Sequence, residues 1–589
     1  MQRMKGISQI GPIADKDKQL QTDDTVKAEI MNDYFSSVGK TLAQNFTAPK
    51  EHQYNHITSV TPTLQKISVD TTFLGKQLTT IKPDKATGPD KVRPKDLNIA
   101  GESTKEGINI VLQRSITERK FPLKWKTAKM KVAYKKGETT DPSNYRPLSM
   151  LSVPSKILEG QICKHIDNHM EEHELHTDKQ WGYRKNRSTE TLLLLLTETW
   201  KQALDLGKVV GVLFVDFRKA FDTVDHTILQ QKLQAVGISG NLYDLLVDYL
   251  KNRHQFAYIN GASSKIRIVE YGVPQGSLLG PRLFKIYVND LPGSVKEGWT
   301  FLFADNTTIY CIGDNVENVV DSLNRIASEL YQWCIENKLT VNTDKTEAML
   351  ITAKPFVGPL RKLGFGNDNI KFVNVSCSLG VYIDSQLKWD KQVKMVAKSY
   401  SAKLLQLKRL RYLPKSVLEK IYYQSIVASV VYCMPVWGTC SPSKFNELEL
   451  IHERAARIIF NLPRNVNVLQ KANWRPLQYI YKKRVATLMH DIYHEKAPTD
   501  LLNLFEKQSQ TRTRQKHCFE IFRPKTEIGR TALRYRGPIT WNALPTETKK
   551  CENRTTFKNK LKRDKIINKV SYKKEAAIGT NKIDDFYYY

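Results

Sequence analysis

At 589 residues the chain is too long for one hydrophobic core, and about three to four domains are expected from length alone. Apolar residues make up 41% and charged residues 26%, an ordinary globular balance, so most of the chain should fold. Lys and Arg total 91 against 60 acidic residues, and the resulting net charge of +31 points to a polyanionic partner, nucleic acid first and an acidic membrane surface second.

No apolar run of about 18 residues occurs, which excludes a membrane-spanning helix as an expectation. The N-terminal MQRMKGISQIGPIADKDKQ lacks the apolar core of a secretion signal. The eight cysteines (Cys163, Cys311, Cys334, Cys377, Cys433, Cys440, Cys518 and Cys551) form no C-x-x-C pair and read as reduced, intracellular thiols.

In chain order, residues 1–75 are polar, with one amphipathic helical stretch from Ala28 to Gly39. The breaker-rich KPDKATGPDK, Lys82 to Lys91, predicts an ordered loop. From about 105 to 355, helical patterns alternate with short β-rich runs. Lys208 to Asp216, KVVGVLFVD, reads as a strand buried on both faces. His226–Val236 and Leu242–Leu250 read as helices. His254–Asn260 and Lys265–Glu270 read as a hairpin across Gly261-Ala-Ser-Ser. A second hairpin pairs Thr300–Ala304 with Thr307–Cys311 and puts Asp305 and Asn306 at its tip. The mixture predicts an α+β fold with chemistry on strand ends.

After Asp390 the chain turns mainly helical and basic, through Lys391–Arg411 and His452–Ile459, with Trp437, Trp474 and Trp541 expected in its core and a frayed tail at Asp584–Tyr589. His169-Met-Glu-Glu-His173 matches the H-x-x-E-H zinc pattern. It lies in a polar, Glu-rich helix end, His169 to His176, and is expected on the solvated surface. Gly364 and Gly366 lack the third glycine and following helix of a dinucleotide loop.

Asp216 ends the buried strand, where an ionised carboxylate is costly unless a cation or donor meets it. A lone strand-end Asp is more often a helix cap than a metal ligand. A second acid, Asp305, lies between two β runs, and carboxylates from two strand ends could share divalent ions, as in two-metal phosphoryl transfer. Magnesium suits such oxygen ligands. Between the two acids lies GVPQGSLLGP, Gly272 to Pro281, where glycine permits close backbone approach to a ligand and Gln275 offers both a donor and an acceptor.

The order FVDFRKAFD (214–222), GVPQGSLLGPRLF (272–284), FADN (303–306), NKLTVNTDKT (337–346) and LGVYID (379–384) resembles the successive palm motifs of LINE-type (non-LTR) retrotransposon reverse transcriptases of the jockey kind. Upstream, DPSNYRPL (141–148) and QWGYRKNRST (180–189) resemble the fingers motifs of the same family, and the likeness runs over about residues 25–560. The resemblance implies a right-hand polymerase of fingers, palm and thumb with an antiparallel palm sheet, followed by a mainly helical C-terminal region. It divides the chain into an N-terminal extension (1–75), fingers and palm (76–355), primer grip and thumb (356–415) and a basic helical region with a frayed tail (416–589).

The same resemblance implies the roles of individual residues. Asp216 and Asp305, helped by the backbone carbonyl of Phe217, would hold two Mg²⁺ ions, with Mn²⁺ as a substitute. Phe221 would be the steric gate against a ribose 2′-OH. Gln275 and Gly276 would lie against the incoming nucleotide, and Arg146 against its triphosphate, for which a planar guanidinium is suited. Lys345 would stand near the leaving pyrophosphate as a candidate proton donor; a solvated Lys at a strand entry is the alternative. The implied partners are template RNA, a DNA primer and deoxynucleoside triphosphates, without a membrane. The implied setting is intracellular, in the nucleus or in a cytoplasmic ribonucleoprotein.

Two departures from the family stand out. The hairpin carries Asp305 then Asn306, where the family has two aspartates. A unit charge lost at about 4 Å is worth roughly 1 to 4 kcal/mol, depending on solvent, or roughly tenfold to a thousandfold in rate. A decayed genomic copy and a site that tolerates Asn both account for it. The second departure is that residues 1–75 are too short for the endonuclease domain that precedes the polymerase in complete elements. Three readings follow. The first is an RNA-directed DNA polymerase weakened at Asn306, and the second a catalytically dead, nucleic-acid-binding relic. The third, an RNA-dependent RNA polymerase, is opposed by the aromatic at Phe221.

Overall fold

The computed structural model describes residues 9–44, 63–99, 101–356, 358, 361–463, 466–508, 517–563, 567 and 570. The frayed tail expected at Asp584–Tyr589 lies outside the described residues.

The first long element is α1 (Asp24–Ala43), whose N-terminus is capped by Asp23 accepting from the backbone N–H of Thr25 and Val26. It lies on a sheet built from β1 (Thr127–Tyr134), β2 (Tyr145–Met150) and, later in the chain, β4 (Arg253–Ile259) with β5 (Arg267–Val269). Met31 and Phe35 of α1 pack there on Met130, Tyr145, Ala257 and Ile259. A helix from Thr71 to Thr80 runs through residue 75 and is capped by Asp70. Along the chain, α2 (Val153–Glu172) and α3 (Thr189–Asp205) follow β2.

The second sheet is the central one and has six strands. They are β3 (Val209–Val215), the hairpin β6 (Trp299–Phe303) and β7 (Asn306–Gly313), β8 (Glu347–Ile351), and the pair β9 (Leu363–Phe365) and β10 (Asp368–Phe372). Their order is β9-β10-β8-β3-β7-β6, antiparallel except for β8 against β10. Burial on both faces explains the continuous apolar reading of β3. Leu213 and Val215 face a core shared with α7 (Val316–Glu336), while Val210, Val212 and Phe214 face a second core shared with α3 and the C-terminal helices. At Gly211 an added Cβ would lie 2.5 Å from Val319, so α7 crosses there only because the residue has no side chain.

Helices α4 (His226–Ala235) and α5 (Gly240–Leu250) fall on the predicted stretches, followed by the predicted hairpin, β4 with β5, and then α6 (Gly280–Tyr287). Strands β11 (Val375–Ser378) and β12 (Val381–Asp384) form a separate hairpin leading into the basic helix α8 (Asp390–Arg409). Beyond it the described chain is mainly helical, through α9 (Pro442–Phe460), α10 (Leu477–Tyr493) and α11 (Leu533–Asn542). Trp437, Trp474 and Trp541 are buried in its core, as expected.

Two local expectations are corrected. The solvated surface predicted for His169–His176 holds for His173, whereas His169 and His176 are buried. His169 Nε2 lies 2.8 Å from the Val236 carbonyl, which pairs the ring inside the protein. The hairpin tip is also displaced by one residue. Phe303 pairs with Asn306, so the turn residues are Ala304 and Asp305, and Asn306 opens β7. Ala304 adopts φ 56°, a left-handed conformation in which an L side chain carries a conformational cost.

Candidate active site

The register of the central sheet brings the two predicted acids together. Thr307 of β7 pairs with Val215 of β3, so Asp216, just past β3, lies beside the tip that carries Asp305. Burial raises the Asp305 carboxyl above its ordinary range, and the charge of Asp216 adds to the shift. Arg146 and Lys135 act in the opposite direction on the same group, which places both cations near the acid pair. Asp216 itself is held from the other side of the strand. Its N–H donates to Thr346 Oγ1 at 3.2 Å, and its carbonyl accepts from Asn342 N at 2.7 Å. Lys345, from the turn between these two contacts, has its Nζ 3.9 Å from Asp216 Oδ2.

Phe217 forms an antiparallel bridge with Val341 whose hydrogen bonds use Asp216 and Arg218, leaving the Phe217 carbonyl directed away from that partner. Asn306 is exposed, and its amide approaches Asp305 Oδ1 at 3.5 Å, a distance too long for a strong hydrogen bond. Among the described residues no group of three or more His, Cys, Asp or Glu side chains could hold a metal ion. Two like-charged carboxylates held together, with hard oxygen donors, are nevertheless a set that a divalent cation fits.

The tip is buttressed by Lys179–Gly182, which runs along β6. Trp181 N donates to the Leu302 carbonyl at 2.7 Å, and Leu302 N to the Lys179 carbonyl at 2.9 Å. Gln180 Oε1 accepts from Gly182 N at 2.8 Å and Ala304 N at 3.4 Å. Tyr183 follows, half-exposed, and the charge of Asp305 contributes, after burial, to raising its phenol. Sequence reasoning had no signal for this buttress beyond the motif itself.

The remaining predicted residues gather on the side facing the first sheet. Arg146 is exposed on β2, paired with Ala133. Phe221 is half-buried, with its ring stacked on Phe284 at 4.6 Å between centroids. Gly276 has φ 119°, and an added Cβ would lie 2.7 Å from the Ser149 carbonyl. Gln275 donates from Nε2 to both oxygens of Asp222, at 2.8 and 2.9 Å.

Three residues that the sequence did not single out belong to this cluster. Lys135 is lowered by burial and by the neighbouring charges of Arg146 and Lys345. Lys219 donates to the carbonyls of Ser143 (3.2 Å) and Tyr145 (3.3 Å) and lies over the rings of Tyr34 and Phe35. Asp222 is pushed up to about 6 by burial. Its signal was available, because it closes the same motif as Asp216. Arg146, Lys135 and Lys345 around two carboxylates form a site able to receive a polyphosphate beside a bound cation.

Residues 133–396 match the family model described as reverse transcriptase (RNA-dependent DNA polymerase), a stretch that contains Lys135, Arg146, Asp216, Phe221, Gln275, Asp305 and Lys345. Residues 133–396 thus carry a reverse transcriptase domain, and the chain is similar to RNA-directed DNA polymerases of mobile elements. It is 27% identical over 358 residues to the probable RNA-directed DNA polymerase from transposon BS of Drosophila melanogaster, covering 58% of this chain and 39% of that protein. Identity to the probable RNA-directed DNA polymerase from transposon X-element of the same fly is also 27%, over 60% of this chain and 39% of the relative. The RNA-directed DNA polymerase from mobile element jockey of Drosophila funebris is 23% identical over 74% of this chain and 49% of its own length. The chain therefore spans half or less of the length of these relatives.

Proposed function

We propose that the chain copies RNA into DNA, extending a primer 3′-hydroxyl with deoxynucleoside triphosphates. The observation that carries this reading is the pairing of Asp216 with Asp305 under Arg146, Lys135 and Lys345. On this reading the central sheet is the palm, the first sheet and α1 belong to the fingers, and α8 begins the thumb.

Divalent cations, two Mg²⁺ in the full arrangement, would be held by Asp216, Asp305 and the Phe217 carbonyl and would supply charge neutralisation at the reacting phosphate. Asn306 stands where a third carboxylate would complete the acid group. The chain's own side chains do the rest. Arg146 and Lys135 receive the triphosphate, and Lys345 offers a proton to the departing pyrophosphate. The Phe221 ring, fixed by its stack on Phe284, leaves no room for a 2′-hydroxyl. Gly276 lets the backbone approach the nucleotide, and Gln275 contacts it. Template RNA and primer lie on the basic surface, with no membrane involved. The setting is an intracellular one with access to nucleic acid, the nucleus or a ribonucleoprotein.

Primer extension on an RNA template with Mg²⁺ and dNTPs tests this reading. The chain as written is run beside Asn306→Asp, with Asp216→Ala as the dead control. Asn306→Asp is expected to extend the primer roughly tenfold to a thousandfold faster than the chain as written, and Asp216→Ala not at all. Extension by neither folded protein would reject polymerase activity and leave a nucleic-acid-binding relic.

A further inference from the structure

Gln275 is not a free side chain at the mouth of the site. Its amide Nε2 donates to the Asp222 carboxylate, lying 2.8 and 2.9 Å from the two oxygens. A carboxylate that only accepts dictates which end of an amide faces it, and so removes the usual freedom of a glutamine to flip. Burial pushes the Asp222 carboxyl up to about 6, while the hydrogen bond from Gln275 and the charge of Lys219 act in the opposite direction.

The backbone around the pair is equally constrained. Gly272 N donates to the Val224 carbonyl and Val273 N to the Phe221 carbonyl, both at 2.8 Å, while Ser149 N donates to the Gln275 carbonyl at 2.9 Å. At Gly272 an added Cβ would lie 2.8 Å from Asp222 Cα, so the two loops touch. Behind the pair a cavity of about 40 Å³ reaches α1 at Phe35 and Gly39. The Oε1 atom of Gln275 makes no hydrogen bond among the described residues.

We propose that Asp222 is a positioning residue of the nucleotide subsite, whose carboxylate locks the Gln275 amide so that Oε1 is presented to the incoming deoxynucleotide as a hydrogen-bond acceptor. The inference rests on the reading of Gln275 as a nucleotide contact. An acceptor held in one orientation favours a hydroxyl or N–H donor of the nucleotide and disfavours its phosphate oxygens. Asp222→Asn keeps the shape of the side chain but lets the amide turn either way.

The test avoids chemistry, so that Asn306 does not mask it. The full chain is bound to an RNA template annealed to a chain-terminated DNA primer in Mg²⁺. The concentration of the next complementary dNTP needed to stabilise that complex is then measured. Asp222→Asn is expected to raise this concentration roughly tenfold, the effect of one lost or misdirected hydrogen bond. Primer–template affinity and melting temperature stay those of the parent. In a Gln275→Ala chain the same substitution adds nothing, because Asp222 acts only through Gln275. An unchanged dNTP requirement in Asp222→Asn overturns the inference, and so does a full additional loss on top of Gln275→Ala. A parent chain that shows no dNTP-dependent complex overturns the nucleotide reading itself, and the inference with it.

Discussion

Lys285 on α6 is 2% exposed, and its ammonium meets His176 Nε2 at 3.3 Å and the Tyr183 carbonyl at 3.4 Å. Burial lowers its pKa from 10.5 to about 8, and burial together with the charge of Lys285 lowers His176 to about 3. The unfolded chain therefore holds more protons between about 8 and 10.5, so stability rises with pH across that window. Below about 8 the cost of the buried charge is constant. Lys285→Met should stabilise the fold by about 1 to 3 kcal/mol at pH 7, and its advantage should shrink as pH climbs towards 10. Thermal melts of the two proteins at several pH values check this. A variant that melts lower at every pH would show that the two hydrogen bonds outweigh the desolvation.

The element that sets the geometry of the acid pair is the β6–β7 hairpin with its buttress. Its turn places a non-glycine residue, Ala304, at φ 56°, and Gly182 packs so closely that an added Cβ would lie 2.5 Å from Ala304 N. Backbone cannot yield there as a flexible side chain can. Gly182→Ala should therefore displace Asp305 relative to Asp216 and cost roughly a hundredfold in extension rate, the effect expected of a shift of about 1 Å. Fold stability should change far less, because the strands below the tip are untouched. Measuring extension by Gly182→Ala in the Asn306→Asp chain, beside its melting curve, separates the two effects. Equal extension rates would mean that the tip tolerates the methyl group.

Across the whole molecule the dominant fact is charge. A net +31 on a chain whose α8 is lined with lysines suits a phosphate backbone. Affinity for an RNA–DNA duplex should fall on the order of a thousandfold between about 50 and 200 mM salt, the behaviour of a protein that displaces several counterions. The slope should be the same for Asp216→Ala and the parent, since the grip on phosphates does not pass through the acid pair. A salt-independent affinity would place the charge on solvated faces instead. Among the described residues no helix is long and apolar enough to cross a membrane.

The sequence by itself carried the resemblance to reverse transcriptases, because the motifs carrying Arg146, Asp216, Gln275, Asp305 and Lys345 are local and occur in a recognisable order. It also placed the elements with strong periodicity, such as β3, α4, α5 and both hairpins, since alternation and turn residues act over short spans. Only the tertiary structure decided which residues meet. Lys135 joins the site because β1 ends beside β2, Lys179–Gly182 buttresses a hairpin more than a hundred residues away, and α1 underlies a sheet completed by β4. Asp222 was visible in its motif, but its partner was not, because Gln275 reaches it only across two loops that pack together. His169 looked solvated because its neighbours in sequence are polar, and its partner, the Val236 carbonyl that caps α4, comes from further along the chain. Sequence periodicity reports how a residue sits in its own element; burial, pKa and partner choice depend on what the remaining elements bring to it.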